Sequence, residues 1–313
     1  MNKKVNIAVL VPCYNEQLTV RQVIQDFRLA LPDASIYIYD NNSKDNTVAI
    51  AKEAGAIVRK ETLQGKGNVV RRMFADIEAD IYILVDGDAT YDAKSAPMLV
   101  DALLSNHVDM VNASRVSQSD LAYRSGHEFG NKLLTKMVST IFGERLKDML
   151  SGYRVFSRRF VKSFPILSAG FEIETELTVH ALELKMPLIE IETPYYSRPE
   201  GSFSKLSTYK DGFKILNMIN KLVKREKPVL YFGFIAGILA VLALILFAPI
   251  FSSYLSTGLV PRLPTAILSA SLVILAFLSL GCGLILDTVT LGRKEAKLIA
   301  YLNIANTRTM VDD

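Results

Sequence analysis

Cysteine is scarce in this sequence: only Cys13 and Cys282 occur among its 313 residues. Cys13 lies at the end of a predicted strand and Cys282 in an apolar run, so the two are too few and too differently placed for a disulfide framework or a metal cluster. We therefore expect a reducing compartment and a packing role for both. Excess charge is also scarce, because 36 Lys and Arg residues face 32 Asp and Glu residues. This balance gives no indication of a nucleic-acid partner.

Charged residues are absent from two long segments, Val229–Phe251 and Thr265–Leu286. Each segment would be roughly 30 Å long as a helix, which matches the hydrocarbon core of a bilayer. Helices buried in a soluble core are usually shorter and keep a polar stripe. We therefore predict a hairpin of two transmembrane helices over residues 228–287. Such a hairpin can form a homo-oligomer through contacts between its helices in the bilayer.

Basic residues flank the predicted hairpin and are nearly absent from the connector inside it. The connector, Ser252–Pro264, contains only Arg262, whereas the flanks contain Lys221, Lys224, Arg225, Lys227, Arg293, Lys294 and Lys297. Since flanks rich in Lys and Arg stay in the cytoplasm, both ends of the hairpin should face that side. The sequence thus predicts an integral protein of the bacterial inner membrane, with a domain over residues 1–205 and a tail over 288–313 on the cytoplasmic side.

Short β-rich runs alternate with helical patterns in the first third of the chain. The predicted strands are Val5–Val11, Ser35–Tyr39, Ala56–Arg59, Ile81–Val85 and Asp109–Ala113. This alternation is typical of a largely parallel, doubly wound sheet in a Rossmann-like α/β fold. Polar residues follow the first, second and fourth strands, and open sheets of this kind bind ligands at the carboxyl ends of their strands. These three strand ends should line one cleft.

Residues 116–227 are predicted to close this cleft and then to reach the membrane. We expect helices over Asn131–Phe142 and Glu172–Leu184, a strand or turn over Gly152–Ser157 and a strand over Leu188–Thr193. A last helix, residues 206–227, has its Lys and Arg residues on one stripe and apolar residues on the rest. That pattern favours an amphipathic helix at the membrane interface, and a solvated helix docked on the domain is the alternative.

The residues Asp86, Gly87 and Asp88 follow directly after the apolar strand Ile81–Val85. Two carboxylates one residue apart can hold Mg²⁺ or Mn²⁺ through hard oxygen ligands, and such a cation can bridge a pyrophosphate. Asp and Gly are also ordinary turn formers, so an acidic turn is the alternative for this motif taken alone.

Three further segments accompany this motif: Pro12–Glu16 after the first strand, Asp40–Thr47 after the second, and Gly65–Asn68 ahead of the third helix. Together with Asp86 and Asp88 they resemble the family-2 glycosyltransferases of the GT-A fold. The resemblance implies a nucleotide-sugar donor, with Asp86 and Asp88 binding a divalent metal and the diphosphate. The donor-binding residues that it implies are Pro12, Tyr14, Asn15, Glu16, Asp40, Asn42, Lys66 and Asp86.

Within that family the chain resembles the dolichol-phosphate mannose synthases and bactoprenol glycosyltransferases over nearly its whole length. The resemblance is carried by Asn112–Arg115, Asp148–Ser157, Gly170–Leu177 and Arg198–Lys205, the last with one extra residue. It implies a polyprenyl phosphate acceptor. Arg115, Arg198 and Lys205 are suitable cations for the acceptor phosphate, with Ser204 as a further ligand, and surface solvation is the alternative for each cation taken singly. The segment Ser125–Asn131, which contains His127, departs from the synthases, because they often have an arginine there.

A polyprenyl phosphate is already anionic near neutral pH, so it can attack the anomeric carbon of the sugar without a strong general base. Positioning and charge neutralisation should therefore dominate catalysis. The residues expected to provide them are Asp86, Asp88, Asp148, Arg198 and Lys205. Three roles are open for Asp148: it could support the metal, orient Arg154 or cap a turn.

Other classes of protein fit the sequence less well. A processive polysaccharide synthase of this family needs a tryptophan in its acceptor site, and the sequence has none. A dinucleotide-dependent dehydrogenase would have Gly-x-Gly-x-x-Gly after its first strand, where this sequence has Pro12–Glu16. We expect inverting transfer of a hexose from a nucleotide sugar, UDP-linked rather than GDP-linked, to a polyprenyl phosphate for a cell-envelope glycan or glycolipid. A GDP-mannose-dependent synthase and a catalytically silent membrane-bound scaffold are the alternatives.

Overall fold

The structure, a computed structural model, describes residues 5–117, 138, 147–170, 172–199, 217 and 220–305. These residues form two compact units. The first unit contains the described residues up to 199 and again those from 296 onwards, and the second contains the residues between 217 and 295. The predicted helix Asn131–Phe142 lies outside the described residues except for Val138, as does most of the predicted interface helix.

Seven strands form one sheet in the first unit. They are β1 (Ile7–Cys13), β2 (Ser35–Asp40), β3 (Ile57–Lys60), β4 (Ile81–Leu84), β5 (Met110–Ser117), β6 (Arg154–Ser157) and β7 (Leu188–Tyr195). Their order across the sheet is β3-β2-β1-β4-β6-β5-β7. β1 pairs in parallel with β2 and β4, β2 with β3, and β5 with β7, whereas β6 is antiparallel to β4 and β5. The prediction of a largely parallel sheet is confirmed.

Helices cover both faces of the sheet. They are α1 (Val20–Ala30), α2 (Thr47–Glu53), α3 (Lys66–Asp76), α4 (Ala96–Ser105), α5 (Arg158–Ser163) and α6 (Ile173–Glu183). Successive side chains of β1 point to opposite faces, as strand geometry requires. Val9 therefore packs in a core with Phe27 of α1, and Leu10 packs in a second core with Met73 of α3. Two apolar cores, one on each side, explain why the central strands are apolar without alternation.

The strand β6 occupies a position in the sheet that its place in the sequence does not indicate. It follows β5 in the chain, yet it lies between β4 and β5 and pairs with both. All four of its residues are buried. This run of four residues, of which Arg154 and Ser157 are polar, gives no pattern that would select its neighbours, which explains why the sequence predicted only a strand or turn over Gly152–Ser157.

Two long apolar helices make up most of the second unit, namely α7 (Pro228–Thr257) and α8 (Leu263–Leu302). Both are long and apolar enough to cross a membrane. Large apolar side chains on them are exposed, for example Phe234 (70%) and Phe277 (72%), which a soluble core helix would bury. The connector is shorter than predicted, residues 258–262, because both helices continue past the apolar runs into their polar flanks.

The last turns of α8 belong to the first unit. Lys297 Nζ lies 2.6 Å from Glu183 Oε2, and the Tyr301 hydroxyl donates to Asp109 Oδ2 at 2.6 Å. The buried Asp109 carboxylate also accepts two hydrogen bonds from Arg159, whose guanidinium lies 4.7 Å from the centre of the Tyr301 ring. Lys297 and Tyr301, which the sequence placed in a separate tail over residues 288–313, thus complete a polar cluster of this unit.

A buried histidine lies close to this cluster. His180 is 1% exposed and packs against the rings of Phe160 and Phe164. Its two ring nitrogens have no hydrogen-bond partner among the residues that the structure describes. Burial, and after it the ammonium of Lys297, lowers the pKa of His180 to about 3. The carboxylate of Glu183 opposes this shift. The imidazole is therefore neutral in the folded protein.

The imidazole has an ordinary pKa near 6.5 in the unfolded chain and a pKa of about 3 in the folded protein. Because the unfolded chain binds the proton more tightly, protonation of His180 favours unfolding. The contribution of His180 to stability is complete above pH 6.5 and is lost as the pH falls from there towards 3. We expect the free energy of unfolding to fall by up to about 1.4 kcal/mol per pH unit below that point. Chemical denaturation in detergent between pH 7.5 and 5 measures this slope.

The variant His180→Phe keeps an apolar ring and should remove this part of the slope, whereas the exposed control His107→Gln should retain it. Equal slopes in the wild-type protein and His180→Phe would contradict the assignment.

Candidate functional site

The segments that follow β1 and β2 interlock through hydrogen bonds. The backbone N–H of Asn15 donates to Ser43 Oγ at 2.9 Å, and that of Glu16 donates to Thr47 Oγ1 at 2.8 Å. In return, the backbone N–H of Lys44 donates to Asn15 Oδ1 at 2.7 Å. Parallel pairing aligns the carboxyl ends of the two strands. These bonds then join two of the predicted donor-binding segments into one surface.

A second set of bonds links the end of β2 to the segment before α3. The carboxylate of Asp40 is nearly buried and accepts from the backbone N–H of Ser43. Asn42 donates to the carbonyl of Thr62, and Asn41 accepts from the backbone N–H of Gly65 at 2.7 Å. The structure thus brings the following predicted donor-binding residues to one sheet edge: Pro12, Tyr14, Asn15, Glu16, Asp40 and Asn42.

The acidic turn after β4 lies at the same edge, because β4 pairs in parallel with β1. Gly87 accepts a hydrogen bond from Thr19 Oγ1 at 2.6 Å, which holds the turn against α1. Asp88 is 4% exposed and accepts from Thr90 Oγ1 at 2.6 Å. Its other carboxylate oxygen lies 2.5 Å from an amino group of Arg198. Asp86 is more open, with 30% of its side chain exposed.

Lys66, the first residue of α3, connects this turn to α6. Its ammonium lies 2.5 Å from Asp86 Oδ1 and 2.5 Å from Glu174 Oε1, and its side chain is only 8% exposed. Burial alone would lower the pKa of Lys66, but the two carboxylates more than offset this and raise the pKa above its ordinary value. Burial raises the pKa of Glu174, and the ammonium of Lys66 opposes that rise. Lys66 is therefore a buried, charged ammonium at the edge of the site.

Two glycines allow Lys66 to reach Glu174. Gly65 has a φ of 128°, and a Cβ atom on it would lie 2.2 Å from the carbonyl oxygen of Ala169. A Cβ atom on Gly67 would lie 2.3 Å from the carbonyl oxygen of Ser168. The backbone N–H of Gly67 donates to the carbonyl of Gly170 at 3.1 Å. The sequence placed these glycines in a segment of the family resemblance, with a plain loop before a helix as the alternative, and the structure shows a close contact between the starts of α3 and α6.

Asp148 orients Arg115. Its carboxylate accepts two hydrogen bonds from the guanidinium of Arg115, at 2.6 and 2.8 Å, and one from the backbone N–H of Leu150. The Arg115 guanidinium also lies 5.4 Å from the centre of the Tyr195 ring. Of the three roles open for Asp148, turn capping is observed and orientation of Arg154 is not. A carboxylate that is bonded in a bidentate manner to one arginine has little capacity left for another.

Arg154 is held by other groups. Its guanidinium is fully buried and donates to the carbonyls of Met149 and Ser151 and to Thr178 Oγ1. Burial lowers its pKa to about 10, which leaves it charged near neutral pH. These bonds fix the 149–152 loop, whose Gly152 donates from its N–H to the Tyr91 hydroxyl at 2.8 Å. Sequence reasoning missed Arg154 and Glu174 as site residues; a charge inside an apolar, strand-like run was the available signal for Arg154.

The predicted acceptor-phosphate ligands are only partly described. Arg115 pairs with Asp148 and Arg198 pairs with Asp88. Ser204 and Lys205 lie outside the described residues, as does His127. The described part of this set therefore contains two arginines whose charges face carboxylates of the site.

Asp86 and Asp88 are suitable ligands for a divalent cation that is shared with a bound diphosphate. A Cβ atom on Gly152 would lie 2.5 Å from Asp86 Oδ2, so glycine leaves the space beside this carboxylate open. Among the described residues, no group of three or more His, Cys, Asp or Glu side chains could hold a metal ion. A cation here would therefore take its remaining oxygen ligands from the diphosphate and water, as Mg²⁺ usually does.

A largely parallel sheet that carries an acidic pair and clustered polar loops at one edge is an α/β fold of the GT-A type. Residues 8–164, half of the chain, match the family described as Glycosyl transferase family 2. The chain belongs to this family and is a glycosyltransferase.

Three relatives illustrate the range of similarity. Glycosyltransferase AglJ of Haloferax volcanii is 32% identical over 228 residues, which cover 72% of this chain and 75% of the relative. Dolichyl-phosphate hexose transferase of the same organism is 22% identical over 222 residues, covering 71% and 96%. Glucosyl-3-phosphoglycerate synthase of Mycobacterium tuberculosis, solved with Mn²⁺, UDP and phosphoglyceric acid, shares the fold with a TM-score of 0.58 and 20% identity, covering 70% of this chain and 78% of that one.

The contact between α3 and the 168–170 segment can be tested with one methyl group. Gly67→Ala should lower the free energy of unfolding by about 1 to 3 kcal/mol, because the added atom overlaps backbone that cannot rotate away. Denaturation of the detergent-solubilised protein measures the change. Gly292→Ala, where a Cβ atom has nothing within 4 Å, is the matched control and should be neutral or slightly stabilising. A Gly67→Ala variant as stable as that control would contradict the packing described for α3.

Proposed function

We propose that this glycosyltransferase moves a hexose from a nucleotide sugar, UDP-linked rather than GDP-linked, to a polyprenyl phosphate with inversion at the anomeric carbon. One observation carries the proposal. Two carboxylates, Asp86 and Asp88, and two cations, Lys66 and Arg198, converge at the carboxyl edge of a family 2 fold whose chain continues into two exposed apolar helices. This combination suits an anionic donor and an anionic acceptor that is carried by a lipid.

The donor half of the proposal rests on the sheet edge. The nucleoside would lie against the joined ends of β1 and β2, near Tyr14 and Asp40, and the diphosphate would lie beside Asp86. A Mg²⁺ or Mn²⁺ ion held by Asp86 and Asp88 would offset the negative charge that develops on the leaving nucleoside diphosphate. The mycobacterial relative was solved with Mn²⁺ and UDP, which supports a divalent cation and a uridine nucleotide as the ligands of this site.

The acceptor half requires a nucleophile that needs little activation. A phosphate oxygen of the lipid attacks the anomeric carbon while the bond from that carbon to the diphosphate oxygen breaks, so the configuration inverts. No proton has to be removed from the attacking oxygen near neutral pH. The protein's task is to position the phosphate and to offset its charge. Arg198, with Ser204 and Lys205, would bind it, and Arg115 would contribute less net charge because Asp148 offsets it.

The membrane supplies the acceptor. Residues 1–205 would form the catalytic domain on the cytoplasmic side, residues 206–227 an interface helix, and α7 and α8 the membrane anchor. The lysines and arginines on the flanks of the hairpin support this orientation. The relative named dolichyl-phosphate hexose transferase supports a lipid phosphate as the acceptor.

Incubation of the purified protein with undecaprenyl phosphate and a panel of radiolabelled UDP- and GDP-sugars tests the reaction directly. We expect one UDP-hexose to label the lipid, and EDTA to stop the labelling. Asp88→Asn should lower turnover about a hundredfold or more, because it weakens the binding of the cation that stabilises the leaving group. Asp101→Asn on the exposed face of α4 is the control and should retain full activity.

No transfer from any donor, with tight nucleotide binding retained, would favour the silent scaffold. Transfer from GDP-mannose alone would replace the donor assignment. Full turnover of Asp88→Asn in excess EDTA would remove the metal from the proposal.

The orientation in the membrane can be measured by cysteine labelling. In a background without Cys13 and Cys282, we expect an impermeant maleimide added outside intact cells to label Ser256→Cys near the connector. Ser105→Cys at the end of α4 should react only after the cells are opened. The reverse pattern would refute a cytoplasmic catalytic domain.

A further inference from the structure

Glu174 has no part in the proposed reaction, yet it is one of the most buried charged residues near the site. Its side chain is 6% exposed, and one carboxylate oxygen lies 2.5 Å from the ammonium of Lys66. Its other oxygen, Oε2, has no hydrogen-bond partner among the described residues. Burying a carboxylate with one oxygen left without a hydrogen bond is costly, so a role for Glu174 beyond stability has to be considered.

Lys66 is shared between Glu174 and Asp86. The ammonium lies 2.5 Å from an oxygen of each carboxylate, so it occupies the side of Asp86 that faces α6. A divalent cation bound to Asp86 would be repelled by this ammonium and would compete with it for the carboxylate. A cation bound at Asp86 therefore weakens the ion pair between this carboxylate and Lys66.

Glu174 determines how costly that exchange is. With Glu174 ionised, Lys66 keeps one buried ion pair when Asp86 turns to the metal. Without the charge of Glu174, Asp86 is the one carboxylate of the described residues that remains at the buried ammonium, and removing it would leave an unpaired charge in a site shielded from water. Lys66 would then hold Asp86 more tightly, and the metal would bind more weakly.

The Lys66 side chain is only 8% exposed, so its ammonium has little access to water. Lys66 begins α3, and the glycines on either side of it pack against the carbonyls of Ala169 and Ser168. The start of α6, which carries Glu174, is fixed by the same contact. The ammonium is therefore confined between the two carboxylates.

We propose that Glu174 is a positioning residue that keeps Lys66 ion-paired when Asp86 turns to the divalent cation of the donor, so that Asp86 can bind this cation. This inference rests on the metal-dependent donor site proposed above. It differs from a role as general base, because Glu174 acts through Lys66 and makes no contact with the acceptor. Its first effect is on metal affinity and not on the chemical step.

Titration calorimetry of Mn²⁺ into the full-length protein in detergent, saturated with UDP, tests the proposal without any acceptor lipid. Glu174→Gln keeps the shape of the side chain and removes its charge, and we expect Mn²⁺ to bind roughly tenfold to a hundredfold more weakly. In a Lys66→Met background the same substitution should change Mn²⁺ affinity by less than about threefold, because the competing ammonium is gone.

Glu183→Gln is the matched control. Glu183 lies on the same helix and forms a buried ion pair with Lys297, outside the site. The Glu183→Gln substitution should lower the midpoint of thermal unfolding and leave Mn²⁺ affinity unchanged. Thermal unfolding of each variant identifies any protein that has not folded, and Glu174→Asp, which keeps the charge, should recover part of the lost affinity.

The outcomes separate this inference from the proposed function. A wild-type protein that binds UDP but no Mn²⁺ would remove the metal site itself. A Glu174→Gln variant that binds Mn²⁺ as tightly as the wild-type protein would overturn the role of Glu174 and leave the proposed function intact. An equal loss in the presence and absence of Lys66 would also overturn it, because Glu174 would then act on the metal by another route.

Discussion

The contact between the start of α3 and the segment before α6 is the constraint on which the rest of the candidate site depends. At Gly65 and Gly67 the backbone of α3 touches the carbonyls of Ala169 and Ser168, leaving no room for a side chain. This approach puts Lys66 within reach of Glu174 and of Asp86 at once. Three segments that are distant in the sequence are thereby joined at one buried ammonium, and the acidic turn after β4 acquires a fixed electrostatic environment.

Much of the donor edge could be predicted from the sequence, because its determinants are local. The strands of the N-terminal half are short apolar runs followed by polar residues, and parallel pairing brings the carboxyl ends of neighbouring strands together. Tyr14, Asp40 and Asp86 could therefore be assigned to one edge before any coordinates were available. The two long apolar helices were predictable for a similar reason, since length and the absence of charge are properties of a single segment.

The remaining features depend on choices of partner that a single sequence does not encode in its local pattern. The strand β6 lies between β4 and β5, and the carboxylate of Asp148 selects Arg115 over Arg154. Arg154 instead binds backbone carbonyls, which are present in every segment and therefore leave no trace in the sequence. Glu174 resembles an ordinary acid in the first turn of a helix, where carboxylates are favoured for local reasons. Contacts between residues distant in the sequence decide the places of β6, Asp148 and Glu174, and periodicity contains no information about such contacts.

The polar cluster around Asp109 has a consequence for how the protein is made. Tyr301 reaches the Asp109 carboxylate from 192 residues further along the chain, and Lys297 reaches Glu183 from 114 residues further along. The N-terminal domain leaves the ribosome long before Lys297 and Tyr301 are synthesised. Its buried carboxylates therefore lack these two partners while the two apolar helices are being made. The domain can acquire its sheet during translation, but it completes its polar core only after the hairpin has left the ribosome. Synthesis of the two apolar helices thus precedes the final step in folding this domain.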